Sequence, residues 1–206
     1  MARRTKEDAD ATRQALLDAA EQVFYDKGVA RASLAEIALA AGATRGAIYW
    51  HFKDKVDLFN AMVDRIRLPL EAVRSADTLT AVDDPLLRVR SVVQHLLAVI
   101  VNDAHTRRVF EIAMYRVEYV SELSDLRERH LAALARFRGQ LAQDLELAAR
   151  QSALALAMPL PDAALGLQAL FDGLLQAWIL GGAGFDLCAI GAAAVDAYLR
   201  GLGFEV

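Results

Sequence analysis

Between Ser33 and His51 the sequence writes two short helices parted by a single glycine. Ser33-Leu34-Ala35-Glu36 is a capping box, in which the serine hydroxyl accepts the N3 amide and the glutamate reaches back. Leu34, Ile37, Ala38 and Ala41 line one face of the helix that follows. Gly42 ends it, where a left-handed backbone is cheap for glycine alone. Thr44 is placed to cap the second helix, which runs to about Trp50 with Ala47 and Ile48 turned inward. Gly46 lowers helix propensity there by about 1 kcal/mol against Ala, a cost that close backbone approach would explain. Upstream, Leu16, Leu17, Ala20, Val23 and Phe24 recur at helical spacing before Gly28 stops the segment. Two short helices at a glycine corner, behind a capped start, are what a helix-turn-helix requires.

The rest of the chain is also helical in pattern. A fourth helix follows Asp54, with Phe59, Met62, Val63 and Ile66 on one face, and Pro69 is expected to kink or end it. Residues 75–84 read as a loop, and Asp84-Pro85 pairs an N-cap with a proline at the first helical position. The fifth helix is expected to reach His105, and Thr106 to restart a sixth to about Tyr119. A seventh covers roughly Ser124 to Arg150. Met158-Pro159-Leu160-Pro161 breaks the pattern, after which Asp162 is expected to cap an eighth helix to Leu180. Gly181, Gly182 and Gly184 form a turn, and the ninth runs from Asp186 to about Gly201. The expected class is all-α, with a helix-turn-helix domain at 1–55 and a larger helical domain at 56–206.

Composition sets limits on function. The chain has 206 residues and a net charge of −4, which does not announce a nucleic-acid binder. Residues 1–67 hold 11 Lys and Arg against 10 Asp and Glu, so the acidic excess lies beyond them. Arg3, Arg4 and Lys6 open the chain, an arm that composition reads as solvated. Cys188 is the single cysteine, which excludes an intrachain disulfide, and nothing resembles a signal peptide; a reducing cytoplasm fits. From Ala163 to Val195 the only charges are Asp172 and Asp186. With Gly181-Gly182 these are expected to cut the stretch into pieces too short for a bilayer, leaving a buried or interface helix pair and no membrane partner. His51, His95, His105 and His130 show no metal-ligand spacing, and no phosphate loop or nucleophile elbow is present. No catalytic residue, metal or cofactor is expected.

The second short helix carries the chemistry. Its outward positions hold Thr44, Arg45, Tyr49, Trp50 and His51. Arg45 can pair bidentately with guanine O6 and N7, and Thr44 or Tyr49 can donate to phosphate oxygens. Lys53 and Lys55 are placed for backbone contacts, whereas Phe52 reads as core. One such helix reaches only a few base pairs, so specificity calls for two copies about 34–36 Å apart. A homodimer interface is expected on the last two helices. Leu167, Leu170, Leu174 and Trp178 make one stripe, and Leu187, Ile190, Gly191, Ala194 and Tyr198 the other.

The segment Thr44-Arg-Gly-Ala-Ile-Tyr-Trp-His-Phe-Lys-Asp-Lys55 resembles the recognition-helix signature of the TetR family. With the opening Met-Ala-Arg-Arg-Thr-Lys it is similar to the AcrR-like branch, which represses multidrug efflux genes. A looser likeness continues through Thr106-Arg107-Arg108, Glu111-Ile112 and Asp172-Gly173-Leu174. The resemblance implies nine helices, three binding double-stranded operator DNA and six forming an effector-binding and dimerisation domain. It places DNA contacts on Ser33, Thr44, Arg45, Gly46, Tyr49, His51 and Lys55. With it, a cavity among helices four to eight is expected to be lined by Ile66, Val93, Leu96, Phe110, Glu111, Met114, Phe137, Leu141, Gln168, Phe171 and Asp172. Aromatic walls with an acceptor such as Glu111 or Asp172 suit planar, often cationic, small lipophilic effectors. The implied function is a repressor that such effectors release from its operator, helix four transmitting the change. The alternatives are a regulator of metabolic or signalling genes, and a dimeric scaffold that no longer touches DNA.

Overall fold

The computed structural model describes residues 6–75, 84–117 and 124–206. Nine α-helices and no strand lie among them: α1 (Lys6–Lys27), α2 (Leu34–Ala40), α3 (Arg45–His51), α4 (Lys55–Ser75), α5 (Pro85–Asn102), α6 (Ala104–Tyr115), α7 (Ser124–Gln151), α8 (Leu160–Leu180) and α9 (Leu187–Leu202). By contact the chain groups into two compact units. One comprises Met1–Pro69 and His105–Arg129, the other Leu70–Ala104 and His130–Val206.

In the first unit α1, α2 and α3 pack on one another. Their common core joins Leu16, Leu17, Ala20 and Phe24 of α1 to Ile37 of α2, Ile48 of α3, and Leu58, Phe59 and Met62 of α4, with Val109 and Ile112 of α6. Phe52 belongs to this core, as its sequence context indicates. Gly42 has φ +64°, which a side chain would strain, so the corner between α2 and α3 is written by glycine's backbone freedom.

In the second unit α5 and α8 each pack on α9. Val89, Val93, Leu97 and Ile100 bury one stripe of α5, and Leu187, Gly191, Val195 and Leu199 bury one of α9. The two approach closely at Gly191, where an added Cβ would stand 2.3 Å from the Leu97 Cδ1. The caps at Asp84 and Asp186 form as the residues indicate: Asp84 Oδ1 accepts from the Leu86 and Leu87 amides, and Asp186 Oδ1 from Ala189.

Five boundaries differ from the sequence expectation. Helix α4 continues through Pro69 to Ser75; proline removes one N–H and crowds one carbonyl, a local cost that a 21-residue ladder absorbs. Helix α5 ends at Asn102 instead of His105. Asn102 Nδ2 donates to the Ala98 carbonyl, Asp103 is extended, and α6 restarts at Ala104, earlier than Thr106. The expected continuation of α6 to Tyr119 is not realised: the helix stops at Tyr115, and residues 118–123 lie outside the described set. Most of the expected 75–84 loop lies outside it too. Helix α8 starts at Leu160, with Pro159 as a cap that makes no side-chain hydrogen bond. Asp162 is already inside the first turn, where its charge suits the helix N-terminus. Asp172 likewise sits within α8 without breaking it. This 21-residue helix, with a mean hydropathy of 1.4 over 18 residues, is long and apolar enough to cross a bilayer, contrary to the expectation of short pieces. Its Ala163, Leu167, Phe171, Leu175 and Trp178 are buried in this fold.

The Gly191–Leu97 contact leaves no room for a side chain, because Leu97 is fully buried and cannot swing away. Gly191→Val is expected to destabilise the protein by about 1–3 kcal/mol, seen as a lower Tm in thermal melts.

Candidate nucleic-acid interface and the interior of the second unit

A seven-residue helix gains little from its own ladder, so the frame around α2 and α3 comes from side chains. Ser33 Oγ accepts from the Glu36 amide at 3.2 Å and donates to Glu36 Oε2 at 3.0 Å, and the Ser33 N–H also donates to that carboxylate. Lys27 Nζ holds the other carboxylate oxygen at 2.6 Å. The bonds from Lys27 and Ser33 pull the Glu36 carboxyl down to about 2. Ser33 therefore has both donors committed to Glu36: in this structure it is a cap, whereas the sequence reading made it a DNA contact.

Thr44 caps α3 by accepting from the Ala47 amide at 3.1 Å, a role that leaves its hydroxyl proton to donate elsewhere. Along α3 the exposed residues are Arg45, Gly46, Tyr49 and Trp50, while Ile48 is buried beneath them. Arg45 lies over the Tyr49 ring at 5.8 Å, and Trp50, 73% exposed, meets the His51 ring edge-on at 4.5 Å. An added Cβ on Gly46 would find only Thr44 Oγ1, at 3.9 Å, so nothing among the described residues requires a glycine there. Lys55 is drawn inward. Its Nζ donates to the carbonyls of Ala30 at 2.6 Å and Ala32 at 3.1 Å, fastening the start of α4 to the strand of chain that leads into α2. The expected phosphate contact is thus a clamp in this structure, since carbonyls left by the turn claim two of its three donors.

Sequence reasoning missed a buried carboxylate and its half-buried partners in the same unit. Glu21 is 5% exposed, and its carboxylate takes His105 Nδ1 at 2.5 Å and Arg108 Nη1 at 3.4 Å. Arg108 and Arg116 both lie over the Tyr25 ring, at 5.6 and 5.4 Å. A signal was present: Glu21 shares the apolar face of Leu17, Ala20 and Phe24, where a carboxylate needs a partner.

The residues expected to line an effector site divide between the units. Ile66, Phe110, Glu111 and Met114 belong to the first, where Phe110 packs on the core and Glu111 pairs with Arg116 at 3.8 Å. Val93, Leu96, Phe137, Leu141, Gln168, Phe171 and Asp172 belong to the second. There the Phe137 and Phe171 rings stand 5.8 Å apart at 55°, and Gln168 Nε2 donates to Asp172 Oδ2 at 3.4 Å. His130, which the sequence reading left out, is in the same unit: burial pushes its imidazole down against the pull of Asp172, and burial pushes the Asp172 carboxyl up. His130 lies seven residues before Phe137, on the same face of α7. Separately, a groove of about 260 Å³ between α5 and α9 is lined by Leu87, Arg90, Gln94 and Asp196, none of them expected to bind an effector. Arg90 and Asp196 pair across it at 2.8 Å.

The expected interface stripes need revision. Leu167, Trp178 and Leu187 are buried in their own chain, and Trp178 Nε1 donates to the Phe185 carbonyl at 3.0 Å, closing the α8–α9 turn. They are core because the helix pair's inner faces fill the unit. Leu170, Leu174, Ala194 and Tyr198 are half-buried, and Ile190 is exposed. Tyr198 is occupied at home too, donating to the Ala163 carbonyl at 2.9 Å across the space that Gly166 leaves. The outward row is Leu165, Ala169, Gly173 and Leu180 on α8, with Ile190, Ala193 and Ala197 on α9.

Residues 16–62 match the profile described as bacterial regulatory proteins of the tetR family. Residues 84–204 match that of the C-terminal region of MAATS-type transcriptional repressors. The chain is 36% identical over 180 residues to the HTH-type transcriptional regulator TtgR of Pseudomonas putida, covering 87% of this chain and 86% of that one. NalD, the secondary repressor of the MexAB-OprM multidrug efflux pump in Pseudomonas aeruginosa, superimposes with a TM-score of 0.82 at 34% identity, over 95% and 97% of the two chains. SmeT, the repressor of the Stenotrophomonas maltophilia multidrug efflux pump SmeDEF, is solved as a triclosan complex. That structure matches with a TM-score of 0.77 at 32% identity, over 92% and 90% of the chains.

The lowered Glu36 carboxyl stabilises the fold above its unfolded range near pH 4.5, and that contribution disappears as pH falls towards 2. Glu36→Gln is therefore expected to lower Tm at pH 6 and to flatten the fall in Tm between pH 5 and 2, followed by circular dichroism.

Proposed function

The chain belongs to the TetR family of bacterial regulatory proteins, and from that premise we propose that it represses a multidrug efflux operon as a cytoplasmic homodimer. It is a transcriptional regulator and not an enzyme. The observation that carries the reading is the exposed row of Arg45, Tyr49 and Trp50 on α3, seated on buried Ile48 and Phe52. Polar and aromatic groups rigidly held on a short helix suit a major groove, where arginine reads guanine. Thr44 keeps a hydroxyl proton for a phosphate, and Gly46 leaves space beside the helix for a DNA backbone. Tyr49 and His51 complete the contact face. Ser33 and Lys55 hold that face in place, and the third N–H of Lys55 remains for a phosphate.

The second copy docks on the outward faces of α8 and α9, whose small and apolar residues permit close helix approach. Leu170, Leu174, Ile190, Ala194 and Tyr198 keep accessible surface there, so they stay in the proposed interface. A small lipophilic effector occupies the interior of the second unit around Phe137, Leu141, Gln168, Phe171 and Asp172, with Val93 and Leu96. Binding that favours a conformation with mis-spaced recognition helices weakens operator affinity by the same factor, as linkage requires. The triclosan complex of SmeT and the efflux role in the NalD description support this choice of effector and target.

DNA upstream of the protein's own gene provides the test. Binding is expected to weaken steeply as salt rises, and Arg45→Ala to cost about 1–3 kcal/mol while relaxing discrimination at one base pair. Indifference to that DNA at low ionic strength would sink the reading. For the assembly, Ile190→Asp is expected to sediment as a folded monomer, since residue 190 is 44% exposed within one chain and its change spares the core.

A further inference from the structure

Helices α5 and α9 close on each other at Leu97 and Gly191, but between Leu87 and Gln94 the groove beside α9 stays open. Two small side chains, Ser91 of α5 and Ala192 of α9, leave the space, and Leu87 and Val195 supply an apolar wall. Its volume is about 260 Å³. A cavity of about 150 Å³ admits benzene, so this one has room for a guest of roughly ten non-hydrogen atoms.

The polar side of the groove is one ion pair. Arg90 Nε stands 2.8 Å from Asp196 Oδ1, and Arg90 Nη2 donates to Asp196 Oδ2 at 3.0 Å. This two-point pairing engages two of the guanidinium's five N–H groups, and the remaining three have no partner among the described residues. Each Asp196 oxygen can accept a further bond. Gln94 Nε2 donates to the Cys188 carbonyl at 3.2 Å, which fixes the amide and leaves its oxygen uncommitted among the described residues. The Ser91 hydroxyl is uncommitted there too.

The pair is neutral as a whole, and that decides which guests it accepts. A carboxylate alone would set a second anion on Arg90 beside Asp196. An ammonium alone would set a second cation on Asp196 beside Arg90. Either leaves an unbalanced charge against a carboxylate whose side chain is only 19% exposed. A guest that carries both charges leaves the balance intact.

We propose that this groove binds a free α-amino acid with an aliphatic side chain. The guest's carboxylate accepts from the uncommitted N–H groups of Arg90 and from the Ser91 hydroxyl. Its ammonium donates to Asp196 and to the Gln94 oxygen, and its side chain lies against Leu87, Ala192 and Val195. The site shares no residue with the effector reading above, so either can fail without the other.

L-leucine and two analogues test it on the full-length protein by titration calorimetry. One analogue, 4-methylpentanoate, lacks the ammonium; the other, 3-methylbutylammonium, lacks the carboxylate. Leucine is expected to bind about tenfold more tightly than either, because each analogue leaves part of the site unpaired. Ala192→Leu, which fills the groove and spares the ion pair, is expected to abolish binding. In Asp196→Asn the leucine-to-4-methylpentanoate ratio is expected to fall towards one. Absence of leucine binding, an analogue that equals leucine, binding that persists in Ala192→Leu, or a ratio that survives in Asp196→Asn would each overturn the proposal. The wild-type series alone decides the matter if a variant does not fold.

Discussion

Two seven-residue helices cannot hold their own geometry, and the rest of this molecule's work on DNA depends on how that shortage is met. The answer is a set of short, mostly charge-assisted bonds around one corner. Glu36 ties Ser33 to Lys27, Lys55 ties the chain before α2 to the start of α4, and Thr44 ties off α3. Each takes up a backbone or carboxylate group that a helix end leaves unpaired. With those ends fixed, Ile37 and Ile48 are both buried in the core, and residues 45, 49 and 50 are left facing outward. Exposure of the outward face of α3 is thus a by-product of how completely the inner face is used.

The same division of labour recurs along α8. One face contributes Ala163, Leu167, Phe171, Leu175 and Trp178 to the core, and the opposite face carries Leu165, Ala169 and Gly173. Gln168 and Asp172 sit where neither face is wholly satisfied. The Gln168 amide donates to the Asp172 carboxyl, and burial pushes that carboxyl up against the pull of this bond. What stays unsatisfied among the described residues is the Gln168 amide oxygen.

Much of the frame was legible in the residues. The capping box at Ser33, the stop at Gly42, the caps at Thr44, Asp84 and Asp186, and the buried role of Phe52 all follow from local rules, because each concerns groups within a few positions of one another. The failures have a common cause. Pro69 and Asp172 are helix disfavouring or charged when judged locally, yet their helices run through them. Asp162 looks like a cap until Pro159 takes the position. Lys55 looks like a surface cation until the Ala30 and Ala32 carbonyls, more than twenty residues away, appear beside it. Trp178 and Leu187 carry the pattern of an interface, and periodicity cannot tell an inner stripe from an outer one.

By itself the sequence determined the helical class, the glycine corner and the identity of the polar row on α3, since these depend on backbone preference and on side chains close in the chain. Only the tertiary structure decided which donors were already spent, which stripe of α8 and α9 was core, and that Glu21 would meet His105 and Arg108. Those outcomes hang on partners brought together from distant segments, and a hydrogen bond or a buried contact has an address only in three dimensions.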